Sequence, residues 1–391
     1  MRNEPGQAKT FRLIVTGGGT GGHTYPALTA IRALQNRLAV EGRALDVLWI
    51  GTADGLEARV APAEGIGFAT VATGKIRRSS NPLKMMSAAN MRDMARVPLG
   101  VAQARKLVAD FRPDVVLATG GYVAVPAGLA ARMCRRPLVL HEQTVRLGLA
   151  NRKLAASATR IAVSSESTLS LLPESARSVA VVTGNPVRPE VLTGHAGKAV
   201  EALGLRGFDR QRPTVYVTGG AQGSQQINDV VRVVLPWLLT HANVIHQCGT
   251  ANLDALRQHT AVLPTELAGR YYLTGFVGPE LPDVLALADV VISRSGAGTL
   301  AELTALGKAA VFIPLATSAG NEQAHNARYL HDAGAAVALL GEVSATTLRD
   351  AVGPLLMEPS RRASIAQQAR THGKPDAADR LVDVILSAAS G

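Results

Sequence analysis

The sequence predicts an α/β protein made of two similar doubly wound domains, each a parallel sheet covered by helices. At 391 residues the chain exceeds one ordinary core and suits two domains of about 180 to 200 residues each. Short apolar runs repeatedly end in glycine and give way to helical spacing, the pattern of buried parallel strands feeding crossover helices. Val15-Thr16-Gly17-Gly18 also recurs as Val217-Thr218-Gly219-Gly220, 202 positions later, so each half opens its sheet with a strand running into a glycine turn. The expected division is 1–185, then 186–370, then a C-terminal helix in 371–391 that packs back on the first domain.

The first element is Leu13-Ile14-Val15, followed by Gly17-Gly18-Gly19-Thr20-Gly21-Gly22-His23 and a helical pattern from Ala27 to Leu38. Glycines at a strand-to-helix turn let backbone N–H groups and the helix N-terminus approach an anion closely. His23 stands where loop meets helix, and is either a candidate base or a helix-start histidine that only caps or packs. Val47 to Ile50 reads as the second strand. Val115 to Ala118 ends in Thr119-Gly120-Gly121-Tyr122, a second glycine turn on the same sheet edge. Leu138 to Leu140 ends in His141-Glu142-Gln143-Thr144, polar residues at the carboxyl edge where open α/β sheets bind ligands. Strands at Ile161 to Val163 and Val179 to Val182 complete the first half, and Gly184-Asn185-Pro186-Val187-Arg188 reads as a hinge.

The second half begins with Thr214 to Thr218 and continues with strands at Val244, Tyr271, Val290 and Ala310. The run Val291 to Ser293 leads through Arg294-Ser295-Gly296 into a helix containing Glu302. Exposed N–H groups at that helix start suit a diphosphate, and Glu302 either accepts the two hydroxyls of a ribose or caps the helix. Asn321, Gln323 and Asn326 open the next helix with amides, suited to sugar hydroxyls or to a plain N-cap.

Composition narrows the partners. The net charge is +11, which attracts an anionic partner: nucleic acid, anionic lipid or a phosphorylated substrate. From Lys75 to Lys106, eight basic residues face only Asp93 while Leu83, Met85, Met86, Met91 and Met94 interleave. That mixture suits either an amphipathic segment on an anionic membrane surface or a solvated cationic face over a Met-rich core. Aromatic stacking residues are missing from the stretch, which argues against nucleic acid. Cys134 and Cys248 lie 114 positions apart, so neither a disulfide framework nor a zinc site is suggested, and a reducing cytoplasm fits. Glu4, Pro5 and an early glycine-broken apolar run are unlike a signal peptide. The longest uncharged run, Val115 to Ala131, carries two glycines and a proline near its middle and is shorter than a spanning helix. A soluble protein, at most bound to a membrane face, is expected.

Several chemistries fall away. Gly17, Gly19 and Gly22 satisfy G-x-G-x-x-G, yet no acidic residue ends the second strand to hold a dinucleotide ribose, which counts against an oxidoreductase. Neither G-x-x-x-x-G-K-[ST] nor G-x-S-x-G occurs, and no D-x-D pair exists to hold a metal on a sugar nucleotide. What remains is a nucleotide diphosphate held by helix dipoles and basic residues between two domains, with a histidine across the cleft.

Thr16 to His23, Gly51 to Glu57, Gly120-Gly121-Tyr122, His141-Glu142-Gln143, Gly184 to Arg188, Gly219 to Gly223 and Arg294 to Ala297, in this order, closely resemble the MurG family of bacterial glycosyltransferases. The resemblance covers almost the whole chain. It implies a GT-B architecture and an inverting, metal-independent transfer of N-acetylglucosamine from UDP-N-acetylglucosamine to the C4 hydroxyl of undecaprenyl-diphospho-N-acetylmuramyl-pentapeptide, with no cofactor. By position it implies His23 as general base and Thr20, Gly21 and Gly22 beside the diphosphates. Arg188 matches the donor-contacting arginine, and Ala297, Gly298, Thr299, Leu300, Ala301 and Glu302 match the nucleotide-binding segment, Glu302 taking the ribose. Val277 falls at the uracil position and Gln323 at the sugar-reading glutamine. Gly18, Gly19, Tyr122, Glu142, Thr144 and Ala221 fall on the acceptor side or in the cleft. The basic, Met-rich stretch matches a membrane-association region, which implies a peripheral protein on the cytoplasmic face of the membrane, with cell-wall synthesis proteins as further partners. Two positions depart: the family usually has Asn where Thr144 stands and often Ser where Ala221 stands. A paralogue acting on another lipid or natural-product acceptor is therefore the alternative, and a dinucleotide oxidoreductase or a non-catalytic scaffold the more distant ones.

Overall fold

The structure, a computed structural model, describes residues 10–74 and 88–391. Residues 75–87 of the basic, Met-rich stretch lie outside the described residues, as do the side chains of 88–95; from Ala88 onward the stretch belongs to the helix Ala88–Phe111.

The chain forms two compact units, one of 1–186 together with 376–391 and one of 187–375. The first is a seven-stranded sheet in the order β3-β2-β1-β4-β5-β6-β7, with β1 Phe11–Gly17, β2 Leu45–Gly51, β3 Gly67–Thr70, β4 Val115–Gly120, β5 Leu138–Glu142, β6 Arg160–Val163 and β7 Ala180–Val182. The second is a six-stranded sheet in the order β10-β9-β8-β11-β12-β13, with β8 Thr214–Thr218, β9 Asn243–Gln247, β10 Tyr271–Thr274, β11 Val290–Ser293, β12 Ala309–Phe312 and β13 Val337–Ala338. Every strand pair is parallel. Two parallel-sheet α/β domains of this kind are the GT-B architecture.

Apolar runs are continuous because both sheet faces are covered. Leu13, Val15 and Leu117 point into one core while Ile14, Val116 and Ala118 point into the other. Val215 and Val217 likewise alternate with Tyr216 in the second unit. The closing helix, Ala377–Ala389, carries Leu381, Val382 and Ile385 into the core that holds Phe11, Leu34 and Leu38. Two strands were not expected: β3 and β13, short and half-exposed, lie at sheet edges with only one neighbour each, β13 within the apolar run Ala335 to Leu340.

In each sheet the strand order reverses between the strand that opens the unit and its later neighbour, β1 beside β4 and β8 beside β11. The repeated Val-Thr-Gly-Gly motif occupies the carboxyl end of β1 and of β8, so the same sequence signal marks the same topological position twice.

At the first of these points the glycine loop is pinned from within. Glu57, fully buried, accepts from the Gly19 N–H at 2.8 Å, the Thr52 N–H at 2.9 Å and the Thr52 hydroxyl at 2.9 Å. Trp49, also buried, donates its indole N–H to the Gly17 carbonyl at 3.0 Å. A Cβ on Gly18 would lie 2.1 Å from the Glu57 carboxyl carbon, and Gly19 holds φ +83°, so glycine is required at both. Burial alone would raise the Glu57 pKa, but the backbone N–H bonds from Thr52 and Gly19 outweigh it and hold the carboxyl below its ordinary 4.5. A depressed folded-state pKa stabilises the fold above the unfolded value and loses that contribution as pH falls through the folded value. Glu57→Gln is therefore expected to cost about 1 to 3 kcal/mol at pH 7. In denaturant titrations repeated down the pH scale, the gap to the unsubstituted protein should shrink below pH 4.5; a gap independent of pH would count against this role.

Candidate functional site

In the first unit the candidate residues gather at the carboxyl ends of β1, β4 and β5. The helix after the glycine loop runs Gly21–Val40, starting six residues before the apolar pattern does, because the first turn is glycine and polar. Thr20 occupies its N-cap position with no side-chain cap, and Thr20, Gly22 and Gly19 are exposed. The first turn thus stands at the surface beside the positive end of a 20-residue helix, with the His23 N–H already bonded to the Thr20 carbonyl at 3.2 Å.

His23, third in that helix, does not cap it. Its Nδ1 lies 3.0 Å from Gln143 Oε1. Its ring covers Gly120, where a Cβ would fall 2.8 Å from the His23 Cε1. Gly121, at φ +82°, packs so closely on the loop that a Cβ would lie 2.7 Å from the Gly18 carbonyl oxygen. The two glycine turns therefore touch, with half-exposed Tyr122 immediately after the second.

His141 and Glu142 belong to β5 itself rather than to the loop behind it, and both are buried. Glu142 accepts from the Thr144 N–H and hydroxyl at 3.2 and 2.9 Å, from Gly148 N–H at 2.8 Å and from Asn151 at 3.0 Å. Thr144, 9% exposed, has its hydroxyl between that carboxylate and the Arg146 carbonyl. Both side chains are turned inward and brace the loop.

In the second unit the site candidates gather at the ends of β8 and β11. The turn after β8 holds Gly220 at φ +91° and an exposed Ala221. Gln247 ties this turn to the loop after β10: its amide nitrogen donates to Thr218 Oγ1 at 3.1 Å and the Gly220 carbonyl at 2.9 Å, and its oxygen accepts from the Val277 N–H at 2.8 Å. Val277 itself is buried in the core.

After β11 the helix Ala297–Leu306 starts at Gly296, again with no side-chain cap. Neither Gly296 nor Gly298 has an atom within 4 Å of where a Cβ would stand, so the helix start is open. Ala297, Gly298 and Thr299 supply its first turn, while Leu300 and Ala301 pack on the domain core. Ser295 and Asn326 hold the approach, through Ser295 Oγ to the Gln323 carbonyl at 2.8 Å and Asn326 to the Ser295 carbonyl at 3.2 Å. Gln323 also accepts from the Leu315 N–H at 3.0 Å through its amide oxygen. Asn321 does not act as an N-cap.

Glu302 does not cap its helix either. Arg188 donates to Glu302 Oε1 from Nε at 2.9 Å and from its terminal nitrogen at 2.8 Å. Burial raises the Glu302 pKa, against the lowering effect of Arg188. Its second oxygen makes no hydrogen bond among the described residues.

Among the residues here to which the sequence alone assigned no role are Glu57 and Gln143. Both sit inside recognisable motif stretches, but their partners lie 38 and 120 positions away, so only the fold reveals what they hold.

Residues 13–163 match the glycosyltransferase family 28 N-terminal domain and residues 214–381 its C-terminal domain. The chain is 36% identical over 387 residues to the UDP-N-acetylglucosamine–N-acetylmuramyl-(pentapeptide) pyrophosphoryl-undecaprenol N-acetylglucosamine transferase of Halothermothrix orenii, covering 97% of this chain and 100% of that one. It is 34% identical to the Listeria monocytogenes enzyme of the same name, covering 96% and 99%. The crystal structure of Acinetobacter baumannii MurG superposes with a TM-score of 0.74 at 26% identity, over 96% of this chain and 99% of that one. With this identity sustained over nearly the full length and both domain models in place, the chain belongs to the MurG family of glycosyltransferases.

Proposed function

We propose that the protein transfers N-acetylglucosamine from UDP-N-acetylglucosamine to the C4 hydroxyl of undecaprenyl-diphospho-N-acetylmuramyl-pentapeptide, the step from lipid I to lipid II in peptidoglycan synthesis. The observation that carries this reading is the near-full-length match to transferases of that name. In the proposed mechanism the acceptor oxygen attacks the anomeric carbon and the bond from that carbon to the UDP oxygen breaks with inversion. UDP departs with the bonding electron pair, and His23 takes the hydroxyl proton.

The charge that develops on UDP is met by the open start of the Ala297–Leu306 helix and by Arg188, which together supply the electrostatic stabilisation without a metal ion. Glu302 takes the ribose diol on the oxygen that Arg188 leaves bare. The backbone at Val277 meets the uracil, its side chain being held in the core, and Gln323 reads the sugar. Thr20, Gly21 and Gly22 meet the diphosphate, with Gly18, Gly19, Tyr122, Glu142, Thr144 and Ala221 on the acceptor side. The inward-turned Thr144 hydroxyl favours the murein acceptor over the paralogue reading, because the residue braces its own loop. A lipid-linked acceptor places the enzyme peripherally on the cytoplasmic face of the bacterial membrane. No described helix is long and apolar enough to cross it.

UDP release from UDP-N-acetylglucosamine in the presence of the lipid-linked muramyl acceptor is the direct test, and a panel of donors and acceptors separates this reading from a paralogue. His23→Ala should lower kcat by about 100-fold to 10,000-fold while UDP affinity, measured by calorimetry, stays unchanged. Undiminished turnover would exclude His23 as the base. Glu302→Ala should raise the donor KM by about tenfold or more, through the lost diol bonds and the Arg188 left without its partner. Chelation with excess EDTA should leave the rate untouched; loss of turnover restored by a divalent cation would refute the metal-independent step.

A further inference from the structure

Behind His23 a line of buried polar groups runs to the backbone. Gln143, 4% exposed, presents its amide oxygen to His23 Nδ1 at 3.0 Å and its amide nitrogen to both the His141 carbonyl and His141 Nδ1, each at 3.0 Å. His141, fully buried, reaches the Gly184 carbonyl through Nε2 at 3.1 Å. Asn151 also donates to the His141 carbonyl, at 3.1 Å, and Thr183 donates its hydroxyl to the Gly184 carbonyl at 3.0 Å.

Two of these groups have no choice of role, because a backbone carbonyl can only accept. The His141 carbonyl requires the amide nitrogen of Gln143 at its end, which leaves the amide oxygen facing His23. The Gly184 carbonyl requires a proton on His141 Nε2, which leaves His141 Nδ1 as a lone pair for Gln143. The two constraints are independent and agree. Burial holds the His141 pKa down to about 4, against the raising effect of Gly184 and with a further lowering from the nearby His23, so the ring stays neutral at physiological pH.

We propose that Gln143, oriented by the His141 and Gly184 carbonyls, is a positioning residue that fixes His23 as the Nδ1–H tautomer and so keeps a lone pair on Nε2 for the proton of the attacking hydroxyl. The proposal rests on His23 being the base. Its physical content is a direction: an amide held the other way would offer N–H to Nδ1, force the proton onto Nε2 and leave the base without its acceptor. The two histidines are therefore held in opposite tautomers.

That signature can be read without turnover. In protein labelled with ¹⁵N-histidine, two-bond ¹H–¹⁵N correlation spectra report which ring nitrogen is bare, with His23 and His141 assigned from the His23→Gln and His141→Gln variants. The expected result is Nδ1–H at His23 and Nε2–H at His141; Nε2–H at His23 in the unsubstituted protein overturns the proposal whether or not His23 is the base. Gln143→Met keeps the side-chain length but offers no acceptor. It should move His23 toward Nε2–H and lower kcat by about 10-fold to 100-fold with the donor KM unchanged. A Gln143→Met protein that keeps both the Nδ1–H signal and full kcat would refute the positioning role, whereas full turnover in His23→Ala would refute only the base.

Discussion

Reversal of strand order is the constraint on which both units depend. At β1 beside β4, and at β8 beside β11, the chain leaves adjacent parallel strands toward opposite faces of the sheet, so no crossover covers the strand ends there. Whatever fills such a place must come from the turns themselves. Side chains on both turns of the first unit would collide: a Cβ on Gly17 meets the Thr119 hydroxyl at 2.0 Å, and one on Gly121 meets the Gly18 carbonyl. Glycine is thus a packing requirement before it is a ligand-binding one, and the open helix N-terminus follows from it.

A loop stripped of side chains has little to hold its shape, and glycine raises the entropy lost on ordering. The protein answers with buried polar side chains lent by neighbouring segments. Glu57 braces the turn after β1, Glu142 the loop after β5, and Gln247 the turn after β8. Each is itself buried and hydrogen-bonds two backbone groups, and leaving a buried polar side chain of this kind unpaired costs about 1 to 3 kcal/mol. The pins are therefore strongest where they have most partners, which is why a single carboxylate suffices for a turn of three glycines.

Much of this architecture was legible from the residues, because the signals involved are local. Eleven of the strands announce themselves as apolar runs or fragments of runs, and the Val-Thr-Gly-Gly repeat marks both topological switch points. β3 and β13 were missed for different reasons: Gly67-Phe68-Ala69-Thr70 looks like a loop, whereas Val337-Ala338 lies in the apolar run Ala335 to Leu340, which does not mark a two-residue strand. His23 and Glu302 could be picked out by their places at helix starts, but each carried a capping alternative that only the fold removes. Glu302 turned out to face Arg188, 114 positions away, and His23 to face Gln143, 120 positions away. Pairings across such separations leave no periodic trace in a single sequence.

The Arg188–Glu302 pair leaves one carboxylate oxygen without a partner among the described residues. A guanidinium fork fits both oxygens of a carboxylate in parallel, yet here both N–H groups converge on Oε1. The arrangement forgoes the second charge-assisted bond, and the Glu302 side chain as a whole is only 18% exposed. Burial accordingly raises the carboxyl pKa despite the adjacent cation. Arg188 meanwhile opposes the effect of burial and, through its two bonds to Oε1, holds the Glu302 side chain in place. Loss of either partner is therefore felt by the other.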